Sequence, residues 1–179
     1  DDKNNVLSKA PLGNLPLFKK GDFYLNGTKS ILKLLLSQSN DPILKILNPS
    51  DEYDSSLIEM WIDFAISNIW VLIETLFIIE KKGISITTEE SIKKEAISEL
   101  KIVLEKLNGA LKFKTYLVSS NLTLADLIMA SSLKIIYDKI LDSEDIKKYN
   151  NVTRWFKLTA NLNEFKNIRP EFLGGVSGE

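Results

Sequence analysis

The sequence predicts a mainly α protein: a bundle of long helices carrying a reduced α/β piece at its N-terminal end. Three observations point there. From residue 51 to residue 163 apolar residues recur at helical spacing with only short breaks. Short apolar runs that read as paired strands occur once, before residue 26. The stretch SNLTLADLIMA, residues 120–130, carries two separate devices for starting one helix.

Residues 1–14 hold Pro11, Gly13 and several Asn, and read as loop. LPLF (15–18) and FYL (23–25), separated by KKGD, predict a β-hairpin with Gly21-Asp22 at or beside the turn. TKSILKLLLSQ follows as a helix with Ile31, Leu34 and Leu35 on one face and Thr28 available as its cap. Asn40 to Pro42 breaks that helix, and Pro49-Ser50-Asp51 breaks the chain again. Asp51 to Lys82 reads as helical throughout. Its wide apolar face is Leu57, Met60, Trp61, Phe64, Ile69, Trp70, Ile73, Leu76 and Phe77, and Gly83 is its stop. Thr88, Glu89, Glu90 and Ser91 open the next helix, with a face of Ile92, Ala96, Leu100, Val103, Leu104 and Leu107 that Asn108-Gly109 weakens at its end.

Thr123 starts the following helix, which runs to about Leu141. Its hydroxyl is placed to accept from the Asp126 amide while the Asp126 carboxylate reaches back to the Thr123 amide, so two unpaired N–H groups are satisfied reciprocally. Leu122 and Leu127 flank that capping box at the spacing of a hydrophobic staple. A last helix spans about Val152 to Asn163 and carries Trp155, Phe156 and Leu162. FLGGVSGE then reads as a linker.

Composition narrows the chemistry. At 179 residues, 44% hydrophobic and 26% charged, the chain is long enough for one full core or two unequal subdomains. It has no Cys, hence no disulfide, thiolate nucleophile or thiolate metal site, and no His, the commonest general base. A carboxylate site for a hard cation remains open, but no EF-hand spacing occurs. A net charge of −1 gives the whole chain no strong field for nucleic acid. FAISNIWVLIETLFII, residues 64–79, is shorter than the roughly 20 residues of a membrane span and is interrupted by Ser67, Asn68 and Glu74, so it reads as a buried helix and no membrane insertion is expected. With polar first residues, no initiator Met and no signal peptide, the chain reads as an internal fragment of an intracellular, cytoplasmic protein.

NLPLFKKGDFYLNGTKSIL (14–32) resembles the second half of the thioredoxin-like subdomain of the glutathione transferase family. YLVSSNLTLADLIMA (116–130) resembles the signature of that family's helical domain, and NNVTRWFKLTANLNEF (150–165) a later helix of it. Nearly the whole chain is covered. The resemblance implies a reduced thioredoxin-like subdomain over 1–47, a transferase-type C-terminal helical domain over 48–166, and a tail or linker to a downstream module over 167–179. It also places a cis-proline at Leu15-Pro16, whose neighbourhood offers backbone groups to glutathione, and puts the γ-glutamyl contacts on Gly27-Thr28. Pro16 and Thr28 are therefore vestiges of a glutathione site, since Gly27 brings no side chain. The catalytic Tyr, Ser or Cys would lie upstream of about residue 10, so the chain is expected to be no enzyme and to need no cofactor.

The wording of NVTRWF is similar to the glutathione transferase-like docking domains of aminoacyl-tRNA synthetases, their scaffold proteins and the elongation factor gamma subunit. Richness in Ile, Lys and Asn and the Gly-rich end resemble the apicomplexan (malaria-type) tRNA import proteins within that group, which would put the full-length protein at a membrane or cell surface. The resemblance implies a non-catalytic scaffold that binds glutamyl-, glutaminyl- or methionyl-tRNA synthetases, forms a homodimer, and meets tRNA only through a module outside these residues. The alternatives are a glutathione-binding transferase or carrier, and an appended domain of a synthetase or of the gamma subunit.

Arg154 matches the Arg that pairs with a partner's acid in such docking domains; an internal pair with Glu144, Asp145 or Asp126 is the competing reading. Trp61, Phe64 and Leu36 lie on the helices that form the subunit interface of the parent fold, and are candidates for self-association or docking to a sister domain. The alternative is that these apolar residues cover their own helix. Trp155 reads as core, and Lys19, Lys20, Lys29, Lys33 and Lys45 as a solvated face.

Overall fold

The computed structural model describes residues 8–13, 15–49, 51–82 and 86–162. The chain divides into two compact units, Asp1–Ser50 and Asp51–Glu179.

In the first unit, strands β1 (Leu17–Lys20) and β2 (Phe23–Asn26) pair antiparallel, with Leu17 opposite Asn26 and Lys20 opposite Phe23. Gly21 and Asp22 make the connection, and Gly21 takes a φ of 60°, the left-handed sense that matches the twist of a two-residue hairpin. Helix α1 (Thr28–Gln38) packs on β2. Thr28 does not cap it. Gly27 holds the cap position at φ 93°, and Thr28 is the first helical residue with an exposed side chain. A side chain at that φ would be strained, so glycine is what lets the chain turn from strand to helix here. The break at Asn40–Pro42 contains a helix start: α2 (Pro42–Leu47) begins on the proline, whose missing N–H costs nothing in a first turn.

The second unit opens on α3 (Glu52–Phe64), where the Asp51 carboxylate accepts from the amides of Tyr53 at 3.0 Å and Asp54 at 2.9 Å. The chain then widens into a π-helical stretch, Ala65–Trp70, and continues as α4 (Val71–Lys82). Asn68 donates its side-chain amide to the Phe64 carbonyl at 3.0 Å inside that wide turn. The run is helical from end to end, as the periodicity predicts, but its buried stripe differs. Ile58, Ile62, Ala65, Ile69, Leu72 and Ile73 face the core, while Leu57 is 37% and Met60 49% exposed. A helix apolar around most of its circumference has no unique inward face; the neighbouring helices choose it.

Helix α5 (Ile86–Ala110) packs along α4 and starts ahead of the predicted Thr88 opening. Ala96, Leu100, Val103, Leu104 and Leu107 are buried as predicted, whereas Ile92 near its start stays exposed. Helix α6 (Leu124–Lys139) is the centre of the unit, in contact with α3, the π-helical stretch and α8 (Asn150–Ala160). A short α7 (Ser143–Lys148), which the periodicity does not show, sits between α6 and α8 and is capped by the Asp142 carboxylate.

By length and composition the segment Glu52–Leu76 would suffice to cross a membrane. Here its inward stripe is part of the core made with α5 and α6. Gly83 and the linker-like end, 167–179, lie outside the described residues.

Candidate functional site

The capping box at the start of α6 forms with both halves in place. The Asp126 side is the tight one: Oδ2 accepts from the Thr123 amide and from the Thr123 hydroxyl, both at 2.9 Å. The hydroxyl half is looser, with no standard side-chain cap bond to a first-turn amide. Asp126 does more than cap. Its Oδ1 accepts from the Leu117 amide at 2.9 Å and from the Trp155 indole Nε1 at 2.8 Å. The carboxylate is fully buried, and four donors occupy its roughly four acceptor positions. Leu122 and Leu127 flank it half-buried. Trp155 is core, and it also ties α8 to the start of α6.

Arg154 pairs with none of Glu144, Asp145 and Asp126. Its Nη2 donates to the carbonyls of Leu111 at 2.9 Å and Lys114 at 2.7 Å, where α5 ends. Both carbonyls lie just past Ala110, the last residue of α5; the Leu111 carbonyl also accepts from the Lys114 amide at 3.2 Å, and the guanidinium fastens this turn to α8. Asp145 instead pairs with Lys101 at 2.9 Å. Nearby, Asn108 accepts at Oδ1 from the amides of Asn151 (2.9 Å) and Val152 (3.3 Å), and its carbonyl accepts from the Asn151 side chain at 3.2 Å. The residue predicted to weaken the end of α5 thus caps α8 from another helix.

On α3, Trp61 and Phe64 are half-buried and meet edge to face, ring centroids 5.6 Å apart. Tyr53, Leu57 and Met60 on the same helix are exposed, Tyr53 by 82%. Leu36 on α1 is half-buried in the other unit. Beyond α3, a cleft of about 300 Å³ opens between Ser67, Asn68 and Val71 on one side and Glu99, Ile102 and Val103 on the other. No signal in the sequence marks it, because it follows from the widened π-helical turn.

The positions expected to retain traces of a glutathione site are arranged as follows. The Leu15-Pro16 peptide is cis. The Pro16 carbonyl accepts from the Gly27 amide and from the Asn26 side chain, both at 3.4 Å, and Asn26 in turn holds the Leu12 amide at 3.1 Å. Gly27 presents only backbone. Among the described residues no group of acids is placed to hold a metal ion.

Four ionisable groups among the described residues respond to their surroundings, among them Lys101 and Lys148, raised chiefly by their hydrogen bonds to Asp145 and to the Tyr149 hydroxyl. The amides of Asp145 and Glu144 hold the Asp142 carboxyl below its ordinary value. Burial raises the Tyr137 hydroxyl, which bonds Thr153 Oγ1 at 2.8 Å while its ring stacks on Phe156.

Residues 66–163 match the family model of the glutathione S-transferase C-terminal domain. The chain belongs to that family. Its relatives include elongation factor 1-gamma of Danio rerio, 31% identical over 166 residues that make up 92% of this chain and 36% of that protein. A glutathione S-transferase-like protein of a Fusarium species is 30% identical over 161 residues, 90% of this chain and 72% of the relative. The solved GST-like domain of elongation factor 1-gamma from Saccharomyces cerevisiae shares the fold, with a TM-score of 0.77 at 22% identity, over 90% of this chain and 75% of that one. The chain spans about a third of the length of its elongation factor relatives.

Proposed function

We propose that the chain is a non-catalytic docking domain of the translation machinery, which assembles aminoacyl-tRNA synthetases around a tRNA-binding scaffold. The observation that carries this reading is the outward side of α3, where Met60 is 49% and Tyr53 82% exposed beside the Trp61–Phe64 pair. Exposed aromatics and Met grouped on one rigid helix suit a partner surface. Glutamyl-, glutaminyl- or methionyl-tRNA synthetases are the partners, with a second copy of the chain as a further one, and Leu36 is the candidate contact residue of the first unit. Arg154 joins through the guanidinium nitrogens other than Nη2. The domain works inside the cell, and the narrower likeness to apicomplexan tRNA import proteins would place it ahead of a tRNA-binding module. A second reading is favoured by the relatives: 26–32% identity to elongation factor 1-gamma sequences over about nine-tenths of the chain supports a gamma-subunit domain docked to other elongation factor components. Gly27 speaks against a glutathione carrier.

The test is capture by the immobilised chain of purified synthetases and, separately, of elongation factor subunits. Met60→Asp and Trp61→Ala are expected to weaken capture at unchanged helicity, and Arg154→Glu to weaken it further. Full capture by all three variants would remove these residues from the interface. Retention on immobilised glutathione, with conjugation of a model electrophile, would replace docking by catalysis.

A further inference from the structure

At the end of α5 the surface charge departs from that of the chain as a whole. Residues 107–125 and 149–162 contain Lys112, Lys114, Arg154 and Lys157 and no Asp or Glu, although the full chain carries a net charge of −1. The two segments are fastened to each other by the bonds from Arg154 Nη2 to the Leu111 and Lys114 carbonyls. Lys157 follows Arg154 by one turn, on the same side of α8. All four cations are exposed. Between two of them stands Phe113, 90% exposed, with the Lys112 ammonium 5.2 Å from its ring centroid.

A phenyl ring this open has no core function. Its neighbours along the loop, Lys112, Lys114 and Thr115, are polar, whereas an aromatic anchor in a protein interface is ringed by groups that close over it. Base stacking needs only one accessible ring face, and flanking ammonium groups supply the phosphate contacts. We infer that the Lys112–Lys114 loop, held against α8 by Arg154, is a binding platform for single-stranded nucleic acid. One unpaired base stacks on Phe113, and the adjoining phosphates lie on Lys112, Lys114 and Lys157. Arg154 is a positioning residue: its Nη2 fixes the loop rather than touching the strand.

This inference does not use the docking face on α3 and shares only Arg154 with the proposed docking interface, so its variants are placed at Phe113, Lys112 and Lys114. The experiment is fluorescence anisotropy of the intact chain with a short labelled oligouridylate, a DNA of matching sequence, the corresponding duplex, and a polyglutamate peptide as competitor. Single strands are expected to bind at low salt more tightly than the duplex. Three phosphate contacts give a slope of log affinity against log salt of about −2, from roughly −0.7 per contact. Phe113→Ala is expected to weaken binding by about 5- to 150-fold without changing that slope, the range for loss of one stacked base, and Phe113→Trp to restore it. Lys112→Glu with Lys114→Glu is expected to flatten the slope. All these positions are exposed, and circular dichroism confirms that each variant is folded. RNA and DNA binding equally support the platform; RNA alone would add a contact to the 2′-hydroxyl. Absence of binding at low salt, wild-type affinity in Phe113→Ala, or equal displacement by polyglutamate would each overturn it, the last in favour of an acidic polypeptide.

Discussion

Asp126 is a buried carboxylate that pairs with no cation among the described residues, and what makes it tolerable is that every acceptor position is filled. Asp126→Asn keeps the shape but turns one acceptor into a donor. The amide N–H then faces either the Thr123 donors or those of Leu117 and Trp155. Removing charge-assisted bonds and burying an unsatisfied donor is expected to cost about 3 kcal/mol, read as a lower urea midpoint at unchanged slope. Asp142 makes a separate, titratable contribution at the start of α7. Its carboxyl is lowered in the fold, so the stabilisation is complete above the ordinary value of 3.8 and disappears as the pH falls through the lower folded value. Asp142→Ala is therefore expected to melt earlier than the parent near neutrality and to converge with it in strong acid, as followed by thermal unfolding across that range. The reciprocal bond between Thr123 and Asp126 was legible from four residues of sequence because a capping box is local. The indole of Trp155, 29 positions away, was not.

The start of α6 is readable because its capping box lies within the residues that open that helix, whereas Thr28, the expected cap of α1, gives way to Gly27, and Asp142 caps an α7 too short to show a period. The start of α8 is different: its cap, Asn108, belongs to α5, so no window of local sequence contains both partners. Asn108→Ala is expected to cost about 1 kcal/mol, the usual value of an N-cap, although the substitution raises the intrinsic helix propensity of α5. Differential scanning calorimetry against Asn151→Ala, which removes only the return bond to the Asn108 carbonyl, separates the two contributions. The register of α3 was misread for another reason. With Leu57, Ile58, Met60, Trp61 and Ile62 all apolar, spacing alone does not rank the faces, and contact with α6 decides in favour of Ile58 and Ile62. The π-helical widening at Ala65–Trp70 also has no composition signature, and with it the cleft beside Glu99 went unseen.

The same division holds for the whole molecule. The helical architecture and its family follow from motifs whose partners lie close together in sequence: a hairpin, a cap, a stapled helix. The surfaces do not, since they depend on which residues the packing leaves outward, as with Met60 and Phe113. Arg154 shows how far the two can diverge. A residue whose type suggests an acid across an interface spends one nitrogen on two carbonyls of its own chain. The Asp126 junction has a consequence for how the helical unit comes apart. The Leu117 and Thr123 amides and the Trp155 indole share one acceptor group, which couples their release to deuterium. In native-state exchange these three protons are expected to leave at a single rate set by global opening, while the amides near the Phe113 loop exchange early; a faster Trp155 indole would mean that α8 peels away by itself.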